Sequence, residues 1–244
     1  PRPKVPLKKY SSQESASSDP DEPDMNATER TKWLAVRQMR VVLFRVFSYL
    51  DTKTLLMVAC VSKEWRRVSR HPALWRHVIL ANSYISSEFL ITLSKWCTQT
   101  WSLSLKGLRG RGIMAEESPE SYELSVRGSL EAGLEKFLST CHDTMTELHI
   151  SDCENILTDK CLWLISGYCR LLTTLTYLSS MDPITPQVMW ALGGGCPGIT
   201  SLFVHPQQPC RKSSAMNNRC LLLIGQLYQD ILELGLGGKE FDKT

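Results

Sequence analysis

Five stretches of this chain can be laid over one another: KWCTQTWSLSL, STCHDTMTELHI, GYCRLLTTLTY, GGCPGITSLFV and QLYQDILELGL. Each carries a cysteine, or in the last a tyrosine, near an expected helix end, then a short turn, then Leu-x-apolar. The paired apolar positions are Leu103/Leu105, Leu148/Ile150, Leu175/Tyr177, Leu202/Val204 and Leu234/Leu236. Such alternation buries one face of a short strand, because strand side chains alternate with period two. An apolar cluster at helical spacing precedes each pair, at 89–96, 134–138, 162–165, 188–192 and 221–227. A strand–turn–helix unit of this size cannot bury its own apolar edge. Stacked neighbours must share one continuous core.

The leading leucines lie 45, 27, 27 and 32 residues apart. Periods of 27 fall in the range of about 20–29 residues used by leucine-rich repeats. The 32 is a period with an insertion in HPQQPCRKSSAMNN, and the 45 is one with an insertion around RGRGIMAEESPESYELSVRG. The expected fold class is α/β: a solenoid of about five repeats of roughly 27 residues over 83–244. Nothing after Gly238 but KEFDKT would cover the last repeat, so the array is expected to be truncated at its C-terminus, as a fragment or an isoform. With the leading leucines inward, Ser104, His149, Thr176, Phe203 and Gly235 face the concave surface, flanked by Glu147, Thr174, Ser201 and Glu233. Phe203 has no evident neighbour to cover it. His149, Thr176, Phe203 and the nearby His205 are the candidate substrate-binding residues.

Residues 1–25 are rich in Ser, Pro and acids and nearly free of large apolar side chains, the composition of a disordered tail. Asn26 and Glu29 have capping-box spacing. Met39, Val42, Leu43, Val46, Phe47 and Leu50 then form one helical stripe. Asp51 and Thr52 supply a break and a new N-cap, and Leu55, Leu56, Val58 and Ala59 open a second helix. Val61, Trp65 and Val68 continue its apolar face up to Pro72. Leu74, Trp75 and Val78 open a third short helical piece.

Composition removes several classes of function. The longest apolar runs are far too short for a membrane span, and no secretory signal pattern stands at the start. Nine cysteines form no C-x-x-C pair, and no cysteine pair completes a zinc set with His71 and His77. Reduced thiols in an intracellular, cytoplasmic or nuclear setting are expected. Cys97, Cys141, Cys169 and Cys196 recur at one place in the repeat, which packing produces and a single active site does not. No catalytic residue, cofactor or metal is therefore assigned, although Cys141 and His142 are neighbours. Gly193, Gly194 and Gly195 lack the Lys-Ser/Thr ending of a phosphate loop and suit a helix end. Charge is uneven: residues 31–80 carry ten Lys/Arg against two acids, a balance of +8. Lys63, Arg66, Arg67, Arg70 and Arg76 suit an acidic protein partner. Nucleic acid is not expected, since a charge run is usually a solvated face.

Residues 42–80, VLFRVFSYLDTKTLLMVACVSKEWRRVSRHPALWRHVIL, resemble the F-box family. The likeness rests on Leu43, Val46-Phe47-Ser48-Tyr49-Leu50, Leu55, Val61-Ser62, Trp65-Arg66 and Leu74-Trp75. Gln38-Met39 stand where the family usually has Leu-Pro. Residues 89–238 are similar to the cysteine-containing leucine-rich repeats found in F-box proteins of that type. The resemblance implies a three-helix F-box, set at 26–82, that binds a Skp-family adaptor within a cullin–RING ubiquitin ligase, while the repeats recruit an unidentified protein substrate. Leu43, Val46, Phe47, Leu50, Leu55, Val61, Trp65, Leu74 and Trp75 are the expected adaptor-binding residues. Three short helices would leave that stripe exposed as a patch of the kind that marks a partner site. The alternative is a repeat scaffold that binds a partner and directs no ubiquitin transfer.

Overall fold

The computed structural model describes residues 26–178, 184–204 and 218–235. The expected tail at 1–25, His205, Leu236 and most of the HPQQPCRKSSAMNN insertion lie outside the described residues. The chain divides into two compact units, the first ending at Val41 and the second beginning at Val42.

Helix α1, Ala27–Phe47, begins with the reciprocal cap that the sequence suggests. The Glu29 N–H donates to Asn26 Oδ1 at 3.0 Å, and the Asn26 N–H donates to Glu29 Oε2 at 3.3 Å. Gln38 and Met39 sit inside this unbroken helix, since no proline interrupts it. Asp51 caps α2, Thr52–Val58, by accepting the Thr54 N–H at 2.9 Å. The expected second helix is in fact two. The chain turns at Ala59 to Val61, and Ser62 starts α3, Lys63–Ser69, by accepting the Trp65 N–H at 3.1 Å.

The expected third helical piece is also corrected. Pro72–Leu74 is one tight turn, and Val78 belongs to a strand, β1, His77–Ala81. Its side chains alternate exposed and buried, with Val78 and Leu80 inward. The β-branched pair Val78-Ile79 suits a strand better than a helix.

From β1 onward strands alternate with helices. Helix α4 is Ser87–Ser94, strand β2 Ser102–Lys106, helix α5 Pro119–Val126, helix α6 Glu131–Cys141 and strand β3 Glu147–Ser151. Helix α7 is Lys160–Tyr168, β4 Thr174–Leu178, α8 Pro186–Gly195, β5 Ser201–Val204, α9 Asn218–Leu227 and β6 Glu233–Gly235. The six strands pair in parallel and in strict chain order. The period counted in the sequence is the register of the sheet: Leu103 pairs with Leu148, Leu148 with Leu175, Leu175 with Leu202 and Leu202 with Leu234. The first four of those leucines are fully buried against the helices, and Leu234 on the outermost described strand is half-exposed.

Two features hold neighbouring units in step. At the strand starts, Thr146, Thr173 and Thr200 form a ladder. The Thr173 hydroxyl donates to the Thr146 carbonyl at 3.0 Å, and Thr200 to the Thr173 carbonyl at 3.2 Å. At the strand ends, Asn82, Gly107 and Asp152 stand in register with one another, and each takes a positive φ, of 49°, 59° and 52°. Asn, Asp and Gly are the residues that reach this left-handed conformation at least cost. It turns the chain off the sheet at the same place in three successive units.

Candidate functional site: two exposed surfaces

The residues expected to meet an adaptor do not form one surface. Phe47, Leu55 and Trp75 are buried in the core. Phe47 meets Trp65 edge-on with ring centroids 5.3 Å apart, and the Trp75 indole N–H donates to the Ser69 carbonyl at 2.7 Å. Leu43, Leu50, Trp65 and Leu74 are half-buried against the same core. Only Val46 and Val61 are exposed, at 51% and 63%. Of the nine expected adaptor residues, Phe47, Leu55 and Trp75 are thus interior side chains in this fold. The aromatic side chains the sequence left uncovered cover one another: Phe47 meets Trp65, and Trp75 lies beside Trp96 with ring centroids 6.0 Å apart.

The apolar surface that remains is made of neighbours of those residues. Val42, Val46 and Tyr49 follow one another at spacings of four and three, so they share one face of the chain around the end of α1. All three are exposed, Tyr49 at 89%. Met57 near the end of α2 and Val61 in the following turn are exposed as well. Sequence periodicity found the stripe but not which of its members the core would claim. Tyr49 and Met57, which it missed, carry no signal beyond their spacing.

The basic residues near this patch are partly engaged within the chain. The Arg66 Nε donates to the Ala59 carbonyl at 3.0 Å. Arg70 stacks on Trp96 at 4.7 Å and Arg76 on Trp101 at 4.9 Å. Lys63 and Arg67 are exposed.

The open face of the sheet is the second surface. One row runs Ile79, Ser104, His149, Thr176, Phe203, Gly235, each paired in register with the next. His149 and Thr176 are joined by a hydrogen bond of 3.0 Å between Nδ1 and Oγ1. Phe203 is 36% exposed, and its ring lies over Gly235, where any Cβ would strike it. The neighbour that sequence reasoning could not find is thus a residue with no side chain. His149, Thr176 and Phe203 are brought together on this row, and His205 is outside the described residues. Ile79 and His77 extend the face at the β1 side, beside Trp101, whose ring lies 6.3 Å from that of His77. Both were missed because β1 was read as helical.

The recurring cysteines are interior. Cys97, Cys141, Cys169 and Cys196 are buried, and Cys196 Sγ donates to the Ile165 carbonyl of the preceding unit at 3.6 Å. Desolvation pushes the Cys141 and Cys196 thiols up to about 12, and those of Cys97 and Cys169 also upward. A thiol held protonated is a poor nucleophile. The insertion between β2 and α6 contains α5. Arg111 grips it by donating to Glu117 at 2.6 Å and to Ser125 at 2.6 Å, while the Tyr122 hydroxyl donates to the Arg111 carbonyl.

Residues 40–81 match the F-box-like family. Over 203 residues the chain is 48% identical to F-box only protein 41 of Mus musculus and, equally, to F-box only protein 41 of Homo sapiens. The match takes in 83% of this chain and 23% of each relative, so the chain spans about a quarter of their length. None of the helices among the described residues is long and apolar enough to cross a membrane.

Proposed function

The chain is an F-box protein, and from that premise we propose that it is the substrate-recognition subunit of a Skp–cullin–F-box ubiquitin ligase. In this reading the F-box at 26–82 holds a Skp-family adaptor, and through it a cullin–RING ligase, inside the cell. The units at 83–244 are leucine-rich repeats that hold a protein substrate, and the chemistry belongs to the partner subunits.

The observation that supports the adaptor assignment is the exposed row Val42, Val46, Tyr49 with Met57 and Val61, inside the segment that matches the F-box family. The core is complete without these side chains, so their exposure calls for a partner. Lys63 and Arg67 give the same segment the positive potential that would steer an acidic adaptor. For the repeats, the support is the 27-residue register, the parallel order of the strands and the threonine ladder. The reading as a scaffold that directs no ubiquitin transfer draws on one observation: α1 runs straight through Gln38-Met39, where the family usually has Leu-Pro.

The test is a pull-down with a recombinant Skp-family adaptor. Val46→Glu together with Val61→Glu should weaken binding at least a hundredfold, since central apolar contacts each contribute about 2 kcal/mol or more. Melting of the variant should match wild type, because both side chains are exposed. Unchanged affinity would remove the adaptor assignment. Phe47→Ala is the wrong probe, because it opens a cavity in the core and costs about 3–5 kcal/mol of stability.

A further inference from the structure

Charge is divided between the strands of the sheet. β1 and β2 hold no acid: Lys106 ends β2, and Arg76 stands immediately before β1. β3 to β6 hold no Lys or Arg, and carry instead Glu147 at the start of β3 and Glu233 at the start of β6. All four side chains are exposed, and none of them is in an ion pair among the described residues. The Arg76 guanidinium lies over the Trp101 ring at 4.9 Å, which leaves its charge uncompensated, and the Glu233 carboxylate accepts the Ser201 hydroxyl at 3.0 Å.

The open face also has two apolar ends. Ile79 on β1 is 58% exposed and Phe203 on β5 is one-third exposed, and strand pairing sets them on one row. Ser104, His149 and Thr176 fill the row between them, each half-buried. The Ser104 hydroxyl and His149 Nε2 have no partner among the described residues. Neighbouring strands lie about 4.8 Å apart, so four steps put Ile79 and Phe203 on the order of 19 Å apart. At the Ile79 end, Arg76 stands by the start of the strands and Lys106 at their finish. Toward the Phe203 end, Glu147 and Glu233 lie two residues to one side of the row, about 7 Å away.

We propose that the substrate taken by this face is an extended segment with segregated charge. Its acidic end, with an aliphatic side chain, lies over β1 and β2, and its basic end, with a second apolar side chain, lies over β3 to β6. The inference rests on the reading of the open face as the substrate site and adds to it the class of ligand. An extended chain rises about 3.3 Å per residue and repeats its facing every second residue, so side chains six apart span about 20 Å and point the same way. That span joins Ile79 to Phe203. The free hydroxyl and imidazole nitrogen between them suit an extended chain, whose backbone groups are open to hydrogen bonding, whereas a helix has used its own internally. Complementary charge fixes the orientation, since a segment laid the other way round meets like charge at both ends.

The probe is a fluorescein-labelled nonapeptide, DLDSSSKFK, titrated into the full chain at low salt and followed by anisotropy. Wild type should bind it, and Arg76→Ser with Lys106→Ser should weaken binding at least fivefold. That loss should vanish against SLSSSSKFK, which lacks the acids. Glu147→Gln with Glu233→Gln should also cost at least fivefold, and that loss should vanish against DLDSSSSFS. Added salt should shrink both losses. The octapeptide DLDSSKFK, with its apolar side chains five apart, should bind at least fivefold more weakly, because one of them then faces away. Both charge variants should melt as wild type does, since all four side chains are exposed. No binding of DLDSSSKFK to wild type, or losses that are equal against all three nonapeptides, would overturn the proposal. Phe203→Ala with His149→Ala keeps the two readings apart. If that variant weakens the peptide while both charge variants bind it fully, the face holds a ligand and does not read its charge.

Discussion

The hydroxyl of Thr52 accepts the backbone N–H of Ile79 at 2.9 Å. Thr52 is the first residue of α2 and is buried, and Ile79 lies at the centre of β1, the edge strand of the sheet. An edge strand presents unpaired donors that invite pairing with other chains. Here a helix of the F-box segment takes the central donor, so this segment and the sheet are physically continuous. Thr52→Val keeps the shape and removes the acceptor. It should cost about 1 kcal/mol, the net contribution of a part-buried hydrogen bond. Thr52→Ser should recover most of the loss. A valine variant within about 0.5 kcal/mol of wild type by urea denaturation would mean that water serves this N–H instead.

The register of the sheet makes a separable claim about stability. Leu175 and Leu202 are buried and paired, whereas Thr176 and Ser201 lie on the open face. Leu175→Ala should cost about 2–5 kcal/mol through lost burial and a cavity. Thr176→Ala gives up its hydrogen bond to His149, and Ser201→Ala its bond to Glu233. Each should stay within about 1 kcal/mol, because water replaces a partner on an exposed face. Comparable losses at both kinds of position would contradict the register.

The strands after β1 were legible because their leucines repeat at a fixed distance and alternate with polar residues. β1 was not legible. Leu74, Trp75 and Val78 fit a helical spacing by chance, and the 25-residue offset from Val78 to Leu103 is followed by one of 45, so no period links β1 to the later strands. A signal did exist: Asn82, Gly107 and Asp152 all follow a strand at the same position, and all belong to the residue types that tolerate positive φ. The stripe on α1 was legible as spacing, and which of its members are buried was not, since spacing alone does not say that Phe47 goes to the core while Val42 and Val46 stay exposed. The cover over Phe203 was invisible for the opposite reason, because the contact is made by Gly235, which contributes no side chain to read.

The insertion between β2 and α6 is organised by charge. Arg111 beside it holds the Glu117 carboxyl down at about 2, well below the ordinary value of 4.5. A carboxyl depressed in the folded state contributes above its unfolded value, near 4.5, and the contribution fades as pH falls toward 2. The Glu117 side-chain carbon signal should therefore titrate with a midpoint near 2. In Arg111→Ala it should return to the ordinary carboxylate range, and amide protection of 117–125 should fall at neutral pH. An unshifted midpoint in wild type would show that the Arg111 contact does not persist in solution.

The ring of Phe203 over Gly235 bears on substrate capture. An aromatic side chain that is one-third exposed, held flat by a glycine on the next strand, keeps one face open and loses little freedom when a partner covers it. His149, two strands from Phe203 on the same row and tied to Thr176 on the strand between them, adds a polar group already fixed in place. The pair should act as an anchor with an orienting contact. Phe203→Ala with His149→Ala should keep the adaptor, since neither residue lies in the F-box segment, and should lose a subset of other partners in quantitative affinity purification. Thermal melting should change little, because both side chains are outside the core. Gly235→Ala tests the same geometry from beneath: it must displace the ring, and it should remove the same partners while leaving Phe203 in the chain. If both variants retain the wild-type partner list, the open face of the sheet is not where the substrate binds.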